Sequence, residues 1–144
     1  MTMQRVVFTC SFEVPVEADD LEAAKVILQA NSASRPFGRG ELTFDDEASA
    51  TATAAYQAKL ALAGTIMTSL RTTHATLEEL VGANKTDAYF TGKTDEEILD
   101  LTKKLMRKLR RFGAVLRKRD THKYFIPRTA GSVVDEIIAG TLAL

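Results

Sequence analysis

A long stretch with few charges and a regular apolar repeat dominates the middle of the chain. Between residues 48 and 70 the only charged residue is Lys59. Downstream of residue 55, side chains recur at alternating steps of four and three residues, which is the repeat of a coiled coil over about three and a half heptads. The pattern predicts one long helix over about 47–81, with the repeating side chains as the interface of a homo-oligomer. The members of this seam are Tyr56, Leu60, Ala63, Met67, Leu70, His74, Leu77 and Val81.

The length of this predicted helix leaves two arrangements open. At about 1.5 Å per residue, an unbroken helix over 47–81 is roughly 50 Å long, which is longer than a domain of this size needs. Either the helix breaks near Gly64 and folds back, or it is continuous and its seam meets a partner. The stretch is too rich in Ala and Thr for a membrane span, so no membrane association is expected.

The remaining patterns predict an α+β fold with a small, mainly antiparallel sheet packed with helices. Residues 5–14 alternate apolar and polar side chains, which predicts a strand that Pro15 ends. A second short strand is expected at 86–90 and a β-hairpin at 114–126. A single domain over 1–144 is predicted. Its candidate sub-units are a strand–helix–loop part at 1–46, the long helix at 47–81 and a basic helix–hairpin–helix part at 82–144.

The clearest helix pattern covers residues 94–111. Thr94 and Glu97 have the spacing of a capping box, and Gly113 marks the end of the helix. The hairpin that follows is expected to have Asp120 and Thr121 at its tip. One face of the helix carries Lys and Arg, and the opposite face is a narrow apolar stripe. The stripe consists of Ile98, Leu101, Leu105, Leu109 and Phe112.

Charge is divided unevenly along a chain whose net charge is zero. Residues 103–128 contain eleven Lys and Arg and one acid, Asp120, whereas the rest of the chain carries a net charge of −10. The helix macrodipole favours acids at the start of helix 94–111 and bases at its end, but it does not account for the bases of the hairpin. Clustered bases repel one another, so an anionic partner is expected.

Two functions fit this charge pattern. The first is a non-enzymatic nucleic-acid-binding or regulatory protein, and the sequence leaves open whether the partner is DNA or RNA. The second is an oligomeric assembly or protein-interaction component whose basic face docks on an acidic protein surface. The predicted nucleic-acid-binding residues are Lys104, Arg107, Lys108 and Arg111 on the helix and Arg117, Lys118, Arg119, Lys123 and Tyr124 on the hairpin.

The order of a basic helix and a basic hairpin over residues 94–128 resembles the end of a winged-helix domain. The resemblance implies that the helix lies in the major groove of DNA and that the hairpin touches phosphate. The sequence does not predict the short helix that is expected just upstream in such a domain.

Enzymatic chemistry has little support in the sequence. The segment FTGKT at 90–94 resembles the end of a phosphate-binding P-loop, but Asp87 stands where that motif needs its first Gly. Cys10, His74 and His122 are far apart in sequence and form no short-range metal-binding pair. The chain is therefore expected to have no catalytic residues, metal or cofactor. The beginning of the sequence has no secretory pattern, and a cytoplasmic location is expected.

Overall fold

A computed structural model describes residues 2–8, 13–32 and 44–144 of the chain. The described residues form five α-helices and two small antiparallel sheets, which confirms the predicted α+β fold. They fall into two compact units, which are Met1–Gln57 with Ala143 and Ala58–Leu142 with Leu144. The boundary lies inside the long helix, and not at residues 46 or 81. The single domain over 1–144 stays a prediction.

The first unit contains a three-stranded antiparallel sheet. Strand β1 (Thr2–Phe8) lies between β2 (Glu13–Ala18) and β3 (Phe44–Asp45), and helix α1 (Leu21–Ser32) follows β2. The prediction of one strand over 5–14 is wrong, because the chain forms two paired strands here and Pro15 lies within β2 opposite Arg5. Strand β2 is at the edge of the sheet, where the missing N–H of a proline is tolerated. Cys10 lies outside the described residues.

The core of the first unit is small and apolar. Its buried side chains come from β1, β2 and α1. Thr53, on the long helix, donates its hydroxyl to the carbonyl of Arg5 and accepts from the Arg5 N–H at 2.7 Å. One side chain thereby joins the start of the long helix to β1. The core cluster consists of Val6, Val16, Ala18, Ala24 and Leu28.

The long helix, α2, runs over Asp46–Leu70 without a break at Gly64. Gly64 faces the backbone of Ile138 on the last helix, and a Cβ there would lie 3.5 Å away, which is an ordinary van der Waals distance. The prediction that this helix continues to residue 81 is wrong. The helix ends at Leu70, and a separate helix, α3 (Leu77–Asn84), begins after Thr76. Thr76 caps α3 by accepting the Glu79 N–H, and a capping residue favours a new helix start over continuation.

The second unit continues with a short 3-10 helix (Ala88–Phe90), α4 (Asp95–Arg111), a hairpin of β4 (Leu116–Arg117) and β5 (Tyr124–Phe125), and α5 (Gly131–Ala139). The strand expected at 86–90 is wrong, because Asp87 accepts the Tyr89 N–H and starts the 3-10 turn instead. The hairpin is confirmed, with shorter strands than predicted. Helix α3 is a short helix upstream of α4, where the sequence predicted only the end of a longer helix.

The apolar side of α4 forms much of the core of the second unit. Four of the five predicted stripe residues are buried or half-buried, but the side chain of Phe112 is 40% exposed. Phe112 is the C-cap residue of α4, and its N–H still donates to the Lys108 carbonyl at 3.2 Å. Within the described residues, no helix is both long and apolar enough to cross a membrane. The largest fully buried side chains of this unit include Leu62, Ile66, Met67, Leu80, Leu105, Met106, Leu109 and Ile137.

Candidate nucleic-acid interface

The start of α4 is fixed by the predicted capping box. The Thr94 N–H donates to Glu97 Oε2 at 2.7 Å, and the Glu97 N–H donates to Thr94 Oγ1 at 3.3 Å. The bond from the Thr94 N–H is also the main reason that the pKa of Glu97 lies below its usual value. Three acids occupy the first turn and three bases the last turn, in line with the helix dipole. The cations of α4 therefore lie on a helix whose start is fixed by a capping box.

The hairpin is attached to the segment between α2 and α3. The Tyr124 N–H donates to the Ala75 carbonyl at 2.7 Å, and the Ala75 N–H donates back to the Tyr124 carbonyl at 3.3 Å. Arg117 pairs with Tyr124 on the other side. Tyr124 is thus the middle position of a small antiparallel arrangement, which ties the hairpin to the segment between α2 and α3.

The tip of the hairpin turns without a glycine. His122 has a φ of 56°, which is the left-handed conformation that a glycine usually supplies in a tight turn. The carbonyl of His122 accepts a bond from Arg117 Nε at 3.3 Å, and the Thr121 N–H donates to Asp120 Oδ1 at 2.8 Å. The single acid of the basic segment is therefore engaged with the backbone of the turn.

The cations of residues 103–128 are exposed, except for the half-buried Lys123. Among the described residues, Lys104 is the single cation of this segment with an ion pair, at 2.7 Å from Asp100. The hydrogen bond from Lys104 is the main reason that the pKa of Asp100 is lowered. The acids of the described chain thus leave most of this positive charge unneutralised.

Two grooves flank the exposed side of α4. The hairpin-side groove, of about 310 Å³, lies between α4, the hairpin and the start of α3. Its lining residues are Leu77, Glu78, Lys103, Met106, Arg107, Arg110, Arg117 and Tyr124. The far-side groove, of about 370 Å³, lies on the opposite flank of the helix. Its lining residues are Lys59, Tyr89, Leu101, Lys104, Leu105, Arg107, Lys108 and Arg111.

The predicted nucleic-acid-binding residues are divided between these grooves. Lys104, Lys108 and Arg111 line the far-side groove, Arg117 and Tyr124 line the hairpin-side groove, and Arg107 lines both. The other three, Lys118, Arg119 and Lys123, lie on the hairpin and are named in neither lining.

Five polar residues of the grooves were missed by the sequence prediction, and one of them, Glu78, is an acid at the start of α3. Lys103 and Arg110 share one row of α4 at a spacing of seven residues, so helical periodicity alone would have found them. Lys59 and Tyr89 reach the far-side groove from α2 and from the 3-10 helix. No local sequence pattern marks them, because only the tertiary fold brings them to α4.

Most of the predicted seam of α2 is buried within the single chain. Its first five residues are at most 7% exposed in the single chain, Leu77 and Val81 are half-buried on α3, and His74 is exposed with its ring 5.6 Å from that of Phe125. The homo-oligomer stays a prediction, but most of the side chains proposed for its interface are already covered. The five buried residues are Tyr56, Leu60, Ala63, Met67 and Leu70.

Metal sites and similarity to known proteins add nothing to this picture. In the part of the chain that the structure describes, no three His, Cys, Asp or Glu side chains are grouped as metal ligands would be. No protein-family model, curated protein or solved structure matches the chain. The functional proposal therefore rests on the residues of the interface.

Proposed function

We propose that the second unit binds double-stranded DNA, with α4 in the major groove and the β4–β5 hairpin against the phosphate backbone. The observation that carries this proposal is the exposed positive charge of α4 and the hairpin. Among their cations in the described chain, only Lys104 has an ion pair. When Lys and Arg neutralise DNA phosphates, condensed counterions are released. An exposed basic surface therefore favours DNA binding even without contacts to the bases.

The shape of α4 supports a groove-binding role. Its apolar side is packed into the unit, and its exposed side is acidic in the first turn and cationic from Lys103 to Arg111. A helix with side chains is about 10–12 Å across, which matches the major groove of B-DNA at about 12 Å. The corresponding groove of A-form RNA is deep and narrow, and therefore DNA is the preferred duplex.

The surroundings of α4 give further support. The short helix α3, the basic helix α4 and the basic hairpin follow one another in the order that resembles the end of a winged-helix domain. The hairpin is tied to the segment between α2 and α3 by the two hydrogen bonds between Ala75 and Tyr124. Arg117 and Tyr124 of the hairpin line one groove together with α4.

Docking on an acidic protein is the second candidate function. Phe112 and Leu116 are large apolar side chains that are 40% and 43% exposed, and they lie between α4 and the hairpin tip in sequence. Apolar side chains within a basic surface suit a protein partner better than a DNA backbone. This function is the expected alternative if the experiment below finds no DNA binding.

Charge reversal at the hairpin tip tests the proposal. The variant Lys118→Glu with Arg119→Glu should weaken binding to a short labelled DNA duplex by on the order of a hundredfold at low salt, measured by fluorescence anisotropy. Both side chains are exposed and form no ion pair in the described chain, so the fold should be kept.

A matched variant separates local contact from net charge. Lys85→Glu with Lys93→Glu changes the net charge equally, at two exposed lysines that line neither groove. Lys85 forms an ion pair with Asp95 at 2.8 Å, so circular dichroism must first show that this variant is folded like the parent. It should weaken DNA binding only slightly. If both double variants lose the same affinity for DNA, the loss comes from the change in net charge and not from contacts at the hairpin tip. If the parent chain does not bind DNA at low salt, the DNA proposal is refuted.

A further inference from the structure

The far-side groove combines cations and a tyrosine from three separate elements. Lys104, Lys108 and Arg111 lie along one row of α4, Lys59 comes from α2, and Tyr89 comes from the 3-10 helix. The contacts Lys59 to Leu144 and Lys104 to Asp100 hold two of the ammonium groups in place. A groove of about 370 Å³ with this lining suits phosphate oxygens.

Tyr89 adds a neutral donor to these cations. It is half-buried, its backbone N–H is bonded to Asp87 at 2.9 Å, and its ring lies 5.4 Å from the ring of Phe90. These contacts fix the residue at the edge of the groove. Burial raises the pKa of the Tyr89 phenol, so the hydroxyl stays protonated and able to donate at neutral pH. Among the described residues, this hydroxyl has no hydrogen-bond partner.

The position of the groove indicates which phosphates it would meet. The hairpin-side and far-side grooves lie on opposite flanks of α4, and Arg107 lines both. The two walls of a major groove are the backbones of the two DNA strands. A helix that fills the groove therefore faces one strand with each flank.

We infer that the far-side groove is a second phosphate-binding site, in which Tyr89 and Lys59 contact the backbone of the DNA strand opposite the one that the hairpin contacts. This inference rests on the proposed DNA binding and adds two residues outside the basic segment. Arg107, between the two flanks, is left to face the base edges. The protein then holds both strands at once, which a single strand does not permit.

The test compares duplex and single-stranded DNA with the double variant Lys59→Gln, Tyr89→Phe in the full chain. Loss of one charged and one neutral contact to phosphate should weaken duplex binding about tenfold at moderate salt. Binding to the single strand should change less than about twofold, because one flank suffices for it. Lys93→Gln, at an exposed lysine that lines neither groove, is the matched control and should change neither.

The outcomes separate this site from the proposed function. Unchanged duplex binding in the double variant, with a loss in Lys118→Glu, Arg119→Glu, would overturn the far-side site and leave DNA binding in place. Equal loss on duplex and single strand would also overturn it, because the groove would then act only through its general charge. A parent chain that does not bind duplex refutes both. If circular dichroism shows that the double variant is misfolded, Tyr89→Phe alone removes one oxygen and should still weaken duplex binding several-fold.

Discussion

Helices α2 and α4 carry the two strongest patterns of the chain, and the fold uses them in opposite ways. The apolar repeat of α2 is covered inside the single chain, with Met67 fully buried and Leu70 3% exposed. The cationic face of α4 is exposed and is left almost without ion pairs in the described residues. An apolar pattern is satisfied by any apolar neighbour, including the chain's own core, whereas a dense array of one charge needs an opposite charge. The unsatisfied pattern is therefore the better guide to a partner.

The largest expected effect tests whether the α2 seam belongs to the core. Replacing Met67 and Leu70 with Lys should destabilise the chain by at least about 4 kcal/mol, because two core side chains are lost and two charges are buried. The free energy of unfolding of a typical domain is only about 5–15 kcal/mol, so partial or complete unfolding of this variant is expected. Urea denaturation followed by circular dichroism measures this loss.

A control on the exposed side of α2 sharpens this comparison. Ala61→Lys with Thr65→Lys adds the same charges at two exposed positions of the helix and should change stability little. If Met67→Lys, Leu70→Lys instead gave a folded monomer as stable as the parent, the seam would face a partner, and the contrast between α2 and α4 would be lost.

The sequence predicted most elements whose signals are local and missed features that depend on distant contacts. The capping box of Thr94 and Glu97 and the basic hairpin were predictable because each pattern lies within a few residues. The end of α2 at Leu70 was missed although Thr76 and Glu79 have the same local capping-box spacing, because the heptad repeat continues past it. The pairing of Ala75 with β5, 49 residues downstream, has no local signal. The bases of the candidate interface were predictable from charge, but the far-side groove needed the fold.

A second prediction concerns the residue shared by both grooves. Arg107→Gln should weaken duplex binding about tenfold and reduce any preference among DNA sequences, because arginine contacts with guanine contribute about 1–3 kcal/mol of discrimination. Binding measured on several duplexes of different sequence provides the readout. A uniform loss on all duplexes would place Arg107 on phosphate, and no loss would remove it from the interface.

A third prediction concerns the helix start that positions these cations. Thr94→Ala should cost about 1 kcal/mol of unfolding free energy, because the Glu97 N–H loses its acceptor. The control is Thr86→Ala, at an exposed threonine that is not a cap, which should change stability by less than about 0.5 kcal/mol. If both variants have the same stability in urea, the capping box does not stabilise α4.

The smallest expected effect is on the pH dependence of stability. The pKa of Glu97 is lowered in the folded chain from an ordinary value of 4.5, mainly by the Thr94 N–H. The stabilisation is therefore fully present above about pH 4.5 and is lost as the pH falls through the lowered value. Glu97→Gln should be slightly less stable than the parent at neutral pH, and the two should converge in acid. A stability curve for Glu97→Gln that runs parallel to that of the parent at all pH values would contradict this assignment.

The salt dependence of DNA binding by the unmodified chain tests the DNA-binding role of α4 and the hairpin most directly. If about five of their cations touch phosphate, a plot of the logarithm of the binding constant against the logarithm of salt concentration should have a slope of roughly −4 to −5. Removing two of these cations in Lys118→Gln, Arg119→Gln should make the slope shallower by about 1.8. A slope near zero, or the same slope in parent and variant, would contradict a phosphate-binding role for this surface.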